Sequence, residues 1–248
     1  MSERSERTTP GRASASGRVR RPRRPVIETP DGLAPVPVDH GVVVSFPASQ
    51  LELDVDDWGR DVHTVRWASR VAGVRWSPSI GGLDELPDSG PALLVCNTRR
   101  FALTPLLVTW AVGRALDRPV RFIGRPEIAP IGPIMRQIGG LIADPDEIDT
   151  ALAASEIVVV GTSPNRNTRR AGRIPERLVE GAWRRAAPVH PVGVLSSPLD
   201  RRVRIEIGAA VTTKRQRRGP LGPPELADAA RSALQKVLDG TASPSVLV

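Results

Sequence analysis

Short aliphatic runs alternate with stretches of helical apolar spacing through the middle and end of the chain. The aliphatic and β-branched runs predict strands over residues 92–96, 120–123, 156–160, 189–195 and 203–208, the last alternating like an edge strand. The helical spacing predicts helices over residues 104–116, 131–138, 176–186 and 225–238. Strands that alternate with helices in this way predict an α/β fold, with a largely parallel sheet flanked by helices.

The pattern changes toward the N-terminus. Residues 1–36 are rich in Ser, Pro, Gly and Arg and have no apolar periodicity, so we expect a disordered basic tail there. The segment 37–81 contains a predicted amphipathic helix over 56–76, and residues 82–248 make up the predicted α/β domain. On that helix Trp58 and Trp76 would share one face and Trp67 would occupy the opposite one. Packing of both faces within the protein is the ordinary interpretation, and a helix that lies partly on the core and partly at a membrane interface is the alternative.

Composition narrows the class of protein. The chain has 248 residues, with Lys+Arg 35 against Asp+Glu 27, and Lys214 and Lys236 are its only lysines. Guanidinium groups suit the phosphates of lipid head groups, nucleic acid or an acyl carrier, although a GC-rich genome gives the same bias. Aromatic residues make up only 3%, with no tyrosine, so platforms for stacking bases are scarce and nucleic acid is disfavoured as a partner.

The apolar stretches are too short for a membrane span. The longest uncharged one, residues 101–113, falls well below the roughly 20 residues that a spanning helix needs. No signal-peptide pattern is visible at the N-terminus. We therefore expect a cytoplasmic protein, peripheral at the inner face of the membrane if it binds lipid.

Several segments in the middle of the chain match one family in order and spacing. Residues 82–97 read GLDELPDSGPALLVCN, residues 118–144 read RPVRFIGRPEIAPIGPIMRQIGGLIAD, and APVHPVGV follows at 187–194. These segments resemble the glycerophospholipid acyltransferase family, the lysophosphatidate acyltransferase-like enzymes. The resemblance implies that family's α/β scaffold over roughly residues 82–194.

The catalytic motif of that family is not kept. In the family, a histidine after the asparagine acts as general base on the acceptor hydroxyl, and an aspartate five positions later orients it. Here Asn97 is kept, but Thr98 stands at the histidine position and Leu103 at the aspartate position. Neither side chain can serve as a base at neutral pH. In the second motif Asp144 survives, while Pro145 replaces the arginine.

Binding residues are predicted on the loops that resemble the rim of the family's active site. In the third motif, whose loop binds the acceptor's phosphate in the family, only Arg166 matches. The stretch NRNTRRAGR at 165–173 is the best candidate for an anion-binding loop. The alternative is a set of solvated arginines in an arginine-rich chain. The predicted substrate-binding residues are Asn97, Arg99, Arg100, Arg125, Arg166, Arg169 and Arg170.

The sequence gives no sign that a histidine or the cysteine replaces the missing general base. His190 lies inside PVHPV on a predicted core strand, so we expect a structural histidine, and neither His63 nor His40 has a carboxylate partner at a telling local spacing. Cys96, the single cysteine, ends a predicted strand and is expected to be a small buried thiol. One cysteine forms no intrachain disulfide and no cysteine-based metal site.

These observations favour one function and leave two open. The favoured one is a catalytically impaired acyltransferase-like protein that binds an anionic phospholipid, a lysophospholipid or a partner at a membrane surface. The second is an active acyltransferase that moves an acyl group from acyl-CoA or acyl carrier protein to a lysophospholipid-type acceptor, with no further cofactor. The third is an arginine-rich nucleic-acid-binding protein.

Overall fold

A computed structural model describes residues 55–98, 103–165, 167, 169–196, 201–211 and 219–241. The predicted tail, residues 1–36, lies outside these ranges. The helices are α1 Val62–Arg75, α2 Thr104–Leu116, α3 Ile131–Gln137, α4 Pro145–Ala153, α5 Glu176–Arg185 and α6 Gly222–Thr241. The strands are β1 Ser77–Gly81, β2 Ala92–Cys96, β3 Val120–Ile123, β4 Gly140–Leu141, β5 Ile157–Gly161, β6 Val189–Ser196 and β7 Arg202–Ile207.

The strands form one seven-stranded sheet in the order β1-β7-β6-β2-β5-β3-β4. Every neighbouring pair is parallel except β6 and β7, which are antiparallel. The predicted α/β fold with a largely parallel sheet flanked by helices is therefore confirmed. The central strands are continuous apolar runs, as expected where helices cover both faces of a sheet.

The strand pleat divides the core into two layers. On β2, Leu93 and Val95 face one side, where they pack in a cluster with residues of α4, α5 and α6. Leu94 and Cys96 face the other side, where the cluster includes Leu107 and other residues of α2. Alternate residues of a strand point to opposite faces, so this single buried run serves both layers.

The predicted helix over 56–76 begins later than expected. Its first residue is Val62, because the Asp61 carboxylate accepts hydrogen bonds from the backbone of His63 (3.2 Å) and Thr64 (3.0 Å). Such N-cap bonds satisfy donors that the first turn of a helix leaves free. Trp58 lies before the helix, in a turn with Gly59 at φ 81°, so the prediction that Trp58 and Trp76 share a helical face is wrong.

The edge assignment of residues 203–208 is also wrong. They form β7, which lies inside the sheet between β6 and β1. The edge strand on this side of the sheet is β1, whose sequence SPSIG has neither the alternation nor the aliphatic content that predicts a strand. Its pairing with β7, from Ser77 opposite Arg202 to Gly81 opposite Glu206, is a long-range contact that local pattern cannot indicate.

Two helices differ from the sequence-based prediction: α4 is not among the predicted helices, and α6 begins earlier than predicted. Helix α4 was not predicted, and its N-cap is Asp144, whose carboxylate accepts a hydrogen bond from the backbone of Asp146 at 3.0 Å. Pro145 occupies the first helical position, where the missing N–H is harmless. Helix α6 begins at Gly222 rather than 225, and its two prolines likewise fall in the first turn.

A buried arginine ties the segment before α1 to the sheet. Arg121 of β3 is 1% exposed and makes a bidentate pair with Glu156, with Nη2 2.8 Å from Oε1. The same nitrogen lies 2.6 Å from Oδ2 of Asp56, and the guanidinium lies 5.9 Å from the centre of the Trp58 ring. The Asp56 carboxylate also accepts hydrogen bonds from two backbone N–H groups of its own turn.

Candidate functional site

The carboxyl ends of β2 and β5 bring two loops side by side. Cys96 lies opposite Gly161 in the register of the two strands, and the Thr162 N–H donates to the Cys96 carbonyl at 2.9 Å. The Thr98 N–H then donates to Oγ1 of Thr162 at 3.2 Å, and the Thr98 carbonyl accepts from the Asn165 N–H at 3.2 Å. Ligands of open α/β sheets bind at the carboxyl ends of the strands, so a site is expected where these two loops meet.

Asn97 continues the pairing of β2 with β6. Its Nδ2 donates to the Val194 carbonyl at 3.0 Å, and its Oδ1 accepts from the Val194 N–H at 2.7 Å. The residue is buried, and both ends of its side-chain amide are bonded to the backbone of one residue, Val194. The structure thus gives Asn97 a role in joining two strands, while its predicted role in substrate binding stays a prediction.

Thr98 stands where the resembled family has its general base, and its side chain is buried. The residue is buried, and its Oγ1 has no hydrogen-bond partner among the described residues. It packs against Gly161, where an added Cβ would come within 2.4 Å of that hydroxyl. Leu103, at the resembled aspartate position, directly precedes α2 and leaves about half of its apolar side chain exposed.

The predicted binding arginines are distributed over separate places. Nη2 of Arg125 lies 3.6 Å from Oε1 of Glu147 on α4, so that guanidinium already has a carboxylate beside it. Arg169 and Arg170 are exposed on the loop after β5 and line one cleft together. Arg99, Arg100 and Arg166 lie outside the described residues.

That cleft lies between the loop and α6 and measures about 870 Å³. Besides the two loop arginines it is lined by side chains of both segments, namely Asn165, Asn167, Ala171, Arg231, Ser232, Gln235 and Asp239. The α6 residues were not predicted as site residues. They lie more than 60 positions after the loop and belong to an ordinary amphipathic helix pattern, so the sequence carries no signal for them.

The buried Cys96 and His190 match their predicted structural roles. Burial raises the pKa of the Cys96 thiol to about 12, so it stays protonated and is not a nucleophile at neutral pH. His190 is buried on β6, with Nδ1 at 3.2 Å from the Gly208 carbonyl, and Nδ1 therefore carries the proton. In the described residues, neither His190 nor His63 shares a hydrogen bond with a carboxylate through its ring. Nor does any group of three His, Cys, Asp or Glu there form a site for a metal ion.

His190 makes the stability of the fold depend on pH. Burial lowers its pKa from the ordinary 6.5, and the Gly208 hydrogen bond and the charge of Glu85 only partly offset this. Below pH 6.5 the unfolded chain binds a proton that the folded chain does not, so the free energy of unfolding falls with falling pH. We expect urea unfolding to show a shallower fall in His190→Asn, whose amide can still donate to Gly208. Identical pH slopes in the two proteins would assign the effect to another group.

The strand order and the parallel pairing define an α/β fold with a largely parallel sheet. The chain is similar in structure to the 1-acyl-sn-glycerophosphate (LPA) acyltransferase PlsC from Thermotoga maritima, with a TM-score of 0.55 and 15% sequence identity. The likeness covers 74% of this chain and 80% of that chain, and at this identity it establishes the fold alone. No protein-family model and no curated protein matches the sequence. In the described ranges, no helix is both long and apolar enough to cross a bilayer.

Proposed function

We propose that the chain is a lipid-binding protein with an acyltransferase-like fold that does not transfer acyl groups by general-base catalysis. The observation that carries the proposal is the buried Thr98 hydroxyl at the position that resembles the family's base. An acceptor hydroxyl must come within hydrogen-bond reach of the base that deprotonates it. A threonine hydroxyl is too weak a base for this step. The Thr98 hydroxyl is also buried against Gly161, where an acceptor hydroxyl does not reach it.

The neighbouring residues support the same conclusion. Leu103 has no group that could orient a base. Neither described histidine supplies a general base at the strand ends, because the His190 ring is hydrogen-bonded to the Gly208 carbonyl and His63 lies on α1. Loss of a general base alone lowers the rate about 10²–10⁴-fold, and loss of its orienting partner adds to that.

The surface of α1 supports a membrane as the place of binding. Trp67, Val71 and Val74 recur at helical spacing and are 64%, 52% and 74% exposed. The helix has no acidic residue and no buried one, and it carries three arginines, Arg66, Arg70 and Arg75. An apolar stripe flanked by cations is the arrangement that binds the interface of an anionic bilayer.

Helix α1 packs only loosely against the rest of the chain, which supports a second binding partner for it. An open groove of about 760 Å³ separates it from α2, and the groove is lined by apolar side chains such as Val65, Leu106 and Trp110. One face of α1 lines this open groove and the other face is exposed. Burial within the chain therefore contributes little to the stability of the helix. A lipid surface would remove the exposed stripe from water.

The test combines two measurements on one preparation. With radiolabelled acyl-CoA and lysophosphatidate we expect no turnover above the no-protein control, while vesicles of phosphatidylglycerol sediment the protein and neutral vesicles do not. The double variant Trp67→Ser/Val74→Ser is expected to bind anionic vesicles at least about tenfold more weakly, from the apolar area it removes. Leu221→Ser removes a similarly exposed apolar side chain next to α6 and is the control.

Each half of the proposal has its own contrary result. Turnover well above the control favours the active acyltransferase, for which the fold likeness is the supporting observation. Vesicle binding that the α1 variant leaves unchanged contradicts a membrane role for that helix.

A further inference from the structure

We propose that the groove between α1 and α2 binds an acidic amphipathic helix of a partner protein. The proposal goes beyond the function above, because the stripe proposed to bind a membrane lies on the exposed face of α1, whereas the groove lies on the face toward α2. Thr98 is not part of the groove, so the proposal would stand if the chain proved to be an active enzyme.

The groove extends along nearly the whole length of both helices. On α1 its lining runs from Val62 to Trp76, and on α2 it runs from Leu103 to Asp117. At 1.5 Å per residue each wall is about 20 Å long, which is the length of a helix of about fourteen residues. The two helices that cover this face of the sheet therefore leave an elongated gap between them.

The packing between the two walls is incomplete. The α1 wall includes the small residues Ala68, Ala72 and Gly73, and no residue of this helix is buried. A Cβ at Gly73 would lie 4.0 Å from the Trp110 ring of α2, so the walls approach each other there without interlocking. The buried indole N–H of Trp110 has no acceptor among the described residues. Small side chains on one wall leave room for the larger apolar side chains of a third helix.

Arginines on both walls give the groove an excess of positive charge. Arg66 and Arg70 are four residues apart on α1, about 6 Å along its axis, and Arg114 stands on the α2 wall. All three are exposed, and none forms an ion pair with a carboxylate of the described residues. Asp117 is the one described carboxylate in the lining. This balance of charge favours an anionic occupant.

The distribution of these charges indicates the form of the occupant. A single-chain amphiphile carries its charge at one end and would be matched by cations at one end of a groove. Acidic side chains that recur every three or four residues along a helix are matched by cations spaced along the walls, as they are here. The apolar face of such a helix would cover the floor of the groove, which Leu107, Val120 and Ile138 help to form. Amphipathic helices bind in apolar grooves in this manner.

The experiment measures the fluorescence anisotropy of labelled synthetic peptides that are titrated with the full-length protein. The probe is a peptide of about 16 residues with leucine on one helical face and glutamate on the other. Its comparisons are the same peptide with lysine in place of glutamate, and a scrambled glutamate peptide of equal composition. We expect the ordered glutamate peptide alone to bind, and its affinity to fall as the salt concentration rises, because salt screens exposed charges.

Two variants test the shape and the charge of the groove separately. Ala68→Phe fills the groove and keeps every charge, so it should weaken binding at least about tenfold. Ala115→Phe places the same ring at an exposed position of α2 outside the lining and should leave the affinity unchanged. Arg114→Glu reverses one charge of the α2 wall and should weaken binding about fivefold. Arg177→Glu changes the net charge equally at an exposed position outside the groove and should have a much smaller effect.

The same variants keep failure of this proposal distinct from failure of the membrane proposal. Trp67→Ser/Val74→Ser should bind the glutamate peptide normally, and Ala68→Phe should still sediment with phosphatidylglycerol vesicles. Loss of vesicle binding in Ala68→Phe, with no peptide binding by the wild type, would assign the groove to the lipid-binding surface and overturn the proposal. Absence of binding of the glutamate peptide, equal affinity for all three peptides, or equal losses in Arg114→Glu and Arg177→Glu would also overturn it.

Discussion

Replacing Arg121 with alanine is expected to destabilise the fold by about 3–5 kcal/mol, because it removes the shared partner of two carboxylates. Arg121 is buried on β3, and its guanidinium bonds Glu156 and Asp56 while it lies over the Trp58 ring. Burial alone would lower the pKa of Arg121, but the hydrogen bonds and charges of Glu156 and Asp56 outweigh it and raise the pKa. The arginine therefore stays charged, and its loss leaves the two carboxylates without their cation.

Thermal unfolding and urea unfolding measure this effect. For a chain of this size, the expected loss lowers the melting midpoint by roughly 10 °C. Arg121→Lys keeps the charge but not the bidentate geometry, so its midpoint should lie between those of the wild type and the alanine variant. Arg185→Ala is the matched control, since it removes an equally bidentate pair with Asp149 from the exposed surface, where such pairs contribute little. Equal midpoints for Arg121→Ala and Arg185→Ala would contradict the role given to the buried cluster.

Replacing Gly172 with alanine is expected to cost about 2 kcal/mol of stability and to disturb the loop that forms the arginine cleft. An alanine Cβ at this buried position would lie 2.0 Å from the Ser163 carbonyl oxygen and 2.9 Å from Thr162 Oγ1. The carbonyl belongs to the backbone and cannot turn aside. The adjacent Arg173 carbonyl accepts a hydrogen bond from the Ser163 N–H at 2.7 Å, so both sides of the loop would have to separate.

The same two unfolding measurements test the effect of the Gly172 substitution. Gly240→Ala on α6 is the control, because a Cβ there meets nothing within 4 Å and alanine is the better helix former. The stability of this variant should be unchanged or slightly higher. A Gly172→Ala protein that unfolds like the wild type would show that the loop opens without cost.

The sequence pattern was reliable where one strand or helix is determined by its own residues. The run ALLVC predicts β2 because an aliphatic segment of that length can be buried on both faces only in a covered sheet. Thr104 and Pro105 predict the start of α2 because proline is tolerated in the first turn. The order of these elements was enough to indicate the α/β fold, and the family resemblance was confirmed at the level of the fold.

The pattern failed where a residue's partner is distant in sequence. Asp56 was placed on a helix because its neighbours have helical spacing, but its carboxylate folds the backbone into a turn and reaches Arg121, 65 residues away. The strand β1 exists because β7 offers it free backbone groups, although its own residues have low strand propensity.

For the candidate site, the sequence alone determined which side chains stand at the resembled positions. Thr98 and Leu103 are there instead of a histidine and an aspartate, and this is why the sequence predicts impaired catalysis. Only the tertiary structure decided the surroundings of these and other predicted residues. It buries the Thr98 hydroxyl against Gly161 and bonds the Asn97 amide to Val194. It also places Arg169 and Arg231 in the lining of one cleft. The physical reason is that side-chain identity is local, whereas burial, pairing and charge clustering depend on which distant segments the sheet brings together.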